Sequence, residues 1–384
     1  MPETIPDDTL TNPALLPAGL RDLLPPAAEL EAAAVATLMA TFAAHGYERI
    51  KPPLIEFEDG LLAGSGAATA DQIFRIMDPD THRMMGVRAD MTPQVARIAT
   101  TRLGGVERPL RLCYSGQCLR ARGSQVDPDR QVAQAGIELI GCDSLAADAE
   151  MVLVGAEALA ALGLTRVSFD LTLPQLAPTL LAEAGFAGPA RQLLLRALDR
   201  KDAAAVTEHG GRLAATLTGL LRTAGVVGPA LSRLAALDLP PASAALAARL
   251  AETVRVIAER APGLKLTVDP LEFRGLQYHT GVCTTVYAAG QHEVLGRGGR
   301  YLVGASEPAT GLTLYPDVIL RAFAAPAARA RLFVPVGYDH AVAAALRSAG
   351  YATVAALDPV DDPVAEARRL RCTHILRAGA AEPI

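Results

Sequence analysis

Before Pro174 the chain passes through a succession of apolar–polar alternating segments, joined by hairpins and short loops rather than by regular βαβ crossovers. A period of two puts successive side chains on opposite faces of a strand, and connections this short favour antiparallel pairing. Ile73-Phe74-Arg75-Ile76-Met77 and Met84-Met85-Gly86-Val87-Arg88 flank Asp78-Pro79-Asp80 and read as a hairpin. Residues 110–122 and 130–140 read as two more strands, joined by the polar loop at 123–129, and residues 166–173 alternate again. The expected fold class is therefore α+β, an antiparallel sheet with helices packed on it.

Helical signals fall between these strands. Pro25-Pro26 opens an Ala/Leu-rich helix that should end near Gly46, and Thr92-Pro93 offers an N-cap followed by Pro at the first helical position. Asp143-Ser144 caps a helix running to Gly163. Residues 47–55 alternate but carry Pro52-Pro53, which places that strand at a sheet edge or a subunit interface. Residues 174–263 have helical periodicity and read as an insertion. Strands resume at 264, 277–287, 293–295 and 311–314. Residues 331–384 read β-α-β-α-β. The expected domains are a core over 1–325, with the insertion inside it, and a short C-terminal α/β segment at 331–384.

The chain has 384 residues, 51% of them hydrophobic, enough for a sizeable core and too apolar for general disorder. Its net charge of −5 lacks the basic excess typical of proteins that wrap nucleic acid. Five cysteines with no CxxC pair point to reduced thiols in the cytoplasm. The acidic, Pro-rich start has no signal-peptide pattern, and the apolar stretch at 151–165 is too short for a membrane span. Seven scattered histidines show no metal-ligand spacing, so no metal is expected.

Several short runs carry polar chemistry. Arg88-Ala89-Asp90-Met91-Thr92 places a carboxylate and a hydroxyl two apart at a strand-to-helix corner, which capping alone would also explain. Gln134, Gly136 and Glu138 share one strand face, either a solvated surface or a pocket floor with room left by the glycine. Arg274-Gly275-Leu276-Gln277-Tyr278-His279 packs an arginine and two rings together. Gly296-Arg297-Gly298-Gly299-Arg300-Tyr301 lies between strands, so a tight hairpin is favoured over a phosphate loop. Six arginines against three acids between 102 and 130 are either a solvated face or an anion-facing groove.

In this order the segments resemble the catalytic core of histidyl-tRNA synthetases, a class II aminoacyl-tRNA synthetase fold, over about residues 15–320 apart from the insertion. Gly46-Tyr47-Glu48-Arg49-Ile50 through Pro53 and Glu56 looks like the family's first motif, which builds the dimer interface. Arg111-Leu112-Cys113-Tyr114 through Leu119-Arg120-Ala121-Arg122 is similar to the second. Arg88 to Thr92, Gln134 to Glu138 and Arg274 to Tyr278 match the segments that bind histidine. Four departures stand out. Arg122 occupies the acidic position that holds adenine, and Val318 stands where the third motif has its ATP arginine. Gln277 and His279 interrupt the usual Leu-Asp-Tyr-Tyr, and the anticodon-binding domain is cut to residues 331–384. Losing one such placed charge typically costs roughly a hundredfold in rate.

A chain that loses the ATP side and keeps the amino-acid side looks like the histidyl-tRNA-synthetase-like regulatory subunits of ATP phosphoribosyltransferase, the first enzyme of histidine biosynthesis. The run from Arg88 to Ile98 is especially close to that family. Its members lack catalysis, form a hetero-octamer with a short catalytic subunit, are needed for its activity and confer inhibition by histidine. The resemblance implies no catalytic residue, no cofactor, a homodimer within the hetero-octamer, and no tRNA or membrane partner. It implies that Asp90 and Thr92, with Gln134, receive the α-ammonium of L-histidine. Glu138 would accept the imidazole N–H, Arg274 would pair with the carboxylate, and Tyr278 and Tyr301 would line the ring. Arg120 is a remnant of the ATP side. The alternatives are a divergent histidyl-tRNA synthetase and a histidine- or tRNA-binding paralogue with another partner.

Overall fold

The computed structural model describes residues 15–123, 128–272, 278–304, 306–322 and 329–384. The chain divides into two units, Met1–Ala324 and Ala325–Ile384. The first begins with α1 (Ala27–Ala44), β1 (Glu48–Arg49), β2 (Ile55–Phe57), α2 (Glu58–Leu61), β3 (Phe74–Met77), β4 (Met84–Val87) and α3 (Thr92–Thr100). It continues with β5 (Leu110–Leu119), β6 (Gln131–Ile140), α4 (Leu145–Ala161) and β7 (Val167–Thr172). The insertion supplies α5 (Leu176–Glu183), α6 (Gly188–Asp199), α7 (Ala203–His209), α8 (Ala214–Leu221), the two-residue β8 (Gly225–Val226), α9 (Val227–Ala235) and α10 (Pro241–Arg260). Then come β9 (Lys265–Asp269), β10 (Cys283–Ala288), β11 (Val294–Val303), β12 (Glu307–Leu314) and α11 (Pro316–Ala322).

The main sheet has nine strands in the order β1-β5-β6-β12-β11-β10-β7-β9-β8. The six from β5 to β7 pair antiparallel, and parallel pairs occur only where β1 joins β5 and β9 joins β7. A small sheet, β2-β4-β3, stands beside it with the expected hairpin intact. The single strand expected over 47–55 is instead two short ones in different sheets, β1 and β2, each at an edge. Neither Pro52 nor Pro53 can donate to a ladder, so pairing stops there and restarts against a new partner.

A second expectation fails at the glycine-rich run. Gly296 to Tyr301 is no hairpin; it lies inside the ten-residue β11, paired on both sides. A Cβ on Gly298 would stand 2.2 Å from the Gly311 carbonyl oxygen, and one on Gly296 2.6 Å from that of Thr313. The glycines are there because neighbouring backbones come too close for any side chain.

Both faces of the sheet are covered. On one, Leu38 and Phe42 of α1 and Met151 and Leu159 of α4 meet Ile137, Phe169 and Leu312, and Leu180, Leu198 and Leu250 of the insertion extend the same core. Burying each such Leu or Phe contributes about 2 kcal/mol of transfer free energy. On the other face Met91, Val95 and Ala99, around α3, pack on Leu112, Tyr114 and Ile140. Among the described residues α1 alone has the length and apolar content to cross a membrane, and its Leu38 and Phe42 are fully buried in this core.

The second unit holds β13 (Arg331–Val334), α12 (His340–Ser348), β14 (Ala352–Ala355), α13 (Pro363–Arg369), β15 (His374–Arg377) and β16 (Ala380–Pro383). Its sheet runs β14-β13-β15-β16, with β13 parallel to both neighbours and β16 antiparallel. The β-α-β-α-β pattern is present, and β16 extends it.

Candidate functional site

The site grows from the side of the sheet that carries α3. Period two puts Gln134, Gly136 and Glu138 of β6 on that face, and all three are buried, so the solvated-surface alternative does not hold. On β5 the same phase gives Leu112, Tyr114, Gly116 and Cys118, and on β11 Arg297, Gly299 and Tyr301. Register brings Tyr114 opposite Gly136 and Gly311 opposite Glu138. A Cβ on Gly311 would lie 1.8 Å from Glu138 Oε2, and one on Gly136 2.5 Å from the Tyr114 ring. Two glycines thus make the space that a buried carboxyl and a buried phenol fill.

Hydroxyls surround Glu138. Tyr301 donates to Oε2 at 2.9 Å, Thr92 to Oε1 at 3.0 Å and Tyr114 to Oε1 at 3.4 Å. Tyr114 also pairs with the Thr313 hydroxyl at 2.8 Å. Burial pushes the Glu138 carboxyl up to about 8; the hydrogen bonds from Tyr301, Thr92 and Tyr114 oppose that, and the charge of Asp90 adds to it. Burial likewise raises Tyr301 well above the usual phenol range, helped by the charge of Glu138.

The corner before α3 is held from both sides. Arg88 is buried and donates to the carbonyls of Gln117 (2.8 Å) and Pro52 (3.1 Å). Asp90 accepts the Thr92 backbone N–H at 2.9 Å, and Gln134 accepts that of Met91 at 3.0 Å. Thr92 is the first residue of the helix rather than its cap, because its hydroxyl is committed to Glu138. Glu56 accepts from Gln94 at 2.9 Å and Arg97 Nε at 2.7 Å, tying α3 to β2. Tyr278 meets Tyr301 edge-on at 6.2 Å between centroids and lies 4.0 Å from the His279 ring.

Asp90, Thr92, Gln134, Glu138, Tyr278 and Tyr301 thus converge, and Arg274 lies outside the described residues. The cluster presents two carboxyls and several hydroxyls, with burial penalising unpaired charge, an arrangement suited to a cationic group. Tyr114, Thr313 and Gly311 were not singled out as site residues from sequence. The register that sets each glycine opposite a large polar side chain would have found them, but only once strand pairing was known. Among the described residues no group of three His, Cys, Asp or Glu side chains is placed to hold a metal.

Arg120 continues β5 in phase with Tyr114 and Cys118; burial pushes the Tyr315 hydroxyl above the usual phenol range, and the positive charge of Arg120 works against that rise. Arg122 is exposed, and Val318 packs against the main core. Three of the arginines between 102 and 130 are held by separate partners. Arg108 pairs with Glu307 at 2.5 Å, Arg111 with Glu150 at 2.8 Å, and Arg130 lies over the Phe74 ring.

A family model described as histidyl-tRNA synthetase matches residues 19–319. An ATP phosphoribosyltransferase regulatory subunit of Paramagnetospirillum magneticum is 54% identical over 365 residues, 95% of this chain and 96% of the relative. One from Gluconobacter oxydans is 53% identical over 371 residues, 97% of each chain. Among solved structures, an ATP phosphoribosyltransferase regulatory subunit/histidyl-tRNA synthetase from Bacillus halodurans superposes with a TM-score of 0.79 at 23% identity, covering 92% of this chain and 96% of that one.

Proposed function

The chain belongs to the family of ATP phosphoribosyltransferase regulatory subunits, built on the histidyl-tRNA synthetase fold, and from that membership we propose that it activates a short-form catalytic subunit and senses histidine for it. It performs no catalysis itself; the phosphoribosyl transfer takes place in the partner chain. It works as a homodimer within a hetero-octamer, in the cytoplasm, where its five free thiols stay reduced.

The observation that carries this reading is the contrast between the two halves of the synthetase-like face. The amino-acid half is assembled around a buried carboxyl, with Thr92, Tyr114 and Tyr301 all bonded to Glu138. On the ATP half, Val318 is a partly buried apolar side chain packed against the core and Arg122 reverses the charge expected beside adenine. Histidine would set its α-ammonium toward Asp90, Thr92 and Gln134, its imidazole N–H toward Glu138 and its carboxylate toward Arg274, with Tyr278 and Tyr301 along the ring. Pairing each charge as it leaves water gives preference for a free amino acid. Regulation then requires histidine to bind two states of the assembly unequally, by about 1–3 kcal/mol.

The test is the rate of phosphoribosyl-ATP formation by a short-form catalytic subunit from the same source. It is measured alone, with this chain, and with this chain plus histidine. Activation that histidine reverses is expected. No change in either condition, with a competent catalytic subunit, overturns the reading. Histidine-dependent exchange of pyrophosphate into ATP would instead mark a synthetase.

A further inference from the structure

A hollow of about 310 Å³ opens away from the Glu138 site, within the size range of small-molecule pockets. Its walls combine Leu173, Leu246, Leu302 and Pro308 with Arg249 and Arg300. Strand alternation puts Arg300 on the opposite face of β11 from Tyr301, so this is a separate place in the fold. We propose that the cavity binds a small apolar carboxylate, which takes the place of the Asp143 side chain on the Arg249 and Arg300 guanidiniums.

The argument is one of charge and exposure. Asp148 of α4 is fully buried and bridges the two arginines, accepting from Arg300 Nε at 2.8 Å and Arg249 Nη2 at 2.9 Å. Arg300 is itself 5% exposed and also donates to the carbonyls of Cys142 (3.1 Å) and Ser144 (3.3 Å). One carboxylate against two guanidiniums leaves a positive charge over. Asp143 balances it, with Oδ1 2.8 Å from Arg249 Nη2 and 3.1 Å from Arg300 Nη1.

Asp143 differs from Asp148 in one respect that matters. Its side chain is 59% exposed, reaching from the loop before α4 onto a pair of arginines at the wall of a cavity. An exposed carboxylate clamped there is placed as a ligand carboxylate would be. Apart from the charged groups and from Thr280 and Gly281, the walls are the aliphatic Leu173, Leu246, Leu302 and Pro308, and Leu302 is 40% exposed at the opening, so the rest of the ligand is apolar.

The probe is 4-methylpentanoate, titrated calorimetrically into the full chain, with 4-methylpentanamide as the uncharged control and inorganic phosphate as the anion without an apolar body. The acid should bind, and the amide and phosphate should bind at least about tenfold more weakly, the size of a charge-assisted hydrogen bond or a buried aliphatic wall. Asp143→Asn removes the internal competitor and should tighten the acid several-fold, a gain that misfolding cannot imitate. Arg249→Gln should abolish binding while Arg300 still partners Asp148. No binding to either wild type or Asp143→Asn, equal binding of the amide or phosphate, or no gain from Asp143→Asn would each overturn the proposal.

Discussion

At Glu138 three hydroxyls meet a carboxyl that water does not reach, and burial outweighs them, pushing its ionisation up to about 8. In the unfolded chain the same carboxyl ionises near about 4.3. Between those values the folded protein holds a proton that the unfolded chain has released. Glu138 therefore favours folding fully below about pH 4 and loses that contribution as pH rises toward 8, by up to about 1.4 kcal/mol per unit. Glu138→Gln keeps the shape without the titration, so its stability should fall less between pH 5 and pH 8 than that of the wild type, read by urea unfolding at both. An identical fall in the two proteins would place the proton elsewhere. The same variant should lose the histidine response in the phosphoribosyl-ATP assay while still activating. Gly311→Ala tests the space itself: its Cβ would overlap the Glu138 carboxyl. Overpacking of this kind should cost about 1–3 kcal/mol and displace Glu138, lowering the urea midpoint. Gln134 and Glu138 were legible from their period, whereas Tyr114 needed its opposite glycine to be known.

Among elements, one carboxylate of α4 ties it to two others. Asp148 joins it to β11 through Arg300 and to α10 through Arg249, so removing the carboxylate strands a nearly buried guanidinium. Asp148→Ala should destabilise the chain by about 3–5 kcal/mol, measurable by denaturant unfolding, and a loss under 1 kcal/mol would show that Asp143 suffices alone. The Ser144 cap of α4 was legible because an N-cap is a local bond, from the Ala147 N–H to the Ser144 hydroxyl. The turn expected over 296–301 was not, because glycine marks both a turn and a strand squeezed by its neighbours. Only the pairing with β10 and β12 separates the two cases.

At the scale of the molecule, the insertion is part of the main core rather than an appendage, since Leu180, Leu198 and Leu250 share a cluster with Phe169 and Leu312. The second unit has its own small clusters around Phe333 and Leu332. A chain ending at 324 should therefore keep a cooperative thermal transition close to that of the full protein. Residues 325–384 alone should be marginal, as short segments with little core usually are. Circular dichroism melts of both fragments check this; aggregation or loss of the transition in the longer fragment would show that the units depend on each other.

Sequence alone was enough to settle the alternation of β5, β6 and β7, the approximate ends of α1 and α4, the antiparallel interior of the sheet and the polar face of β6. All of these rest on interactions within a few residues. It could not say which side chains meet. Glu138 finds Thr92 and Tyr301 at separations of 46 and 163 residues, and Arg108 finds Glu307 at 199. Those partners are chosen by strand register and by burial, which act between segments distant along the chain and exist only after the sheet has closed around them.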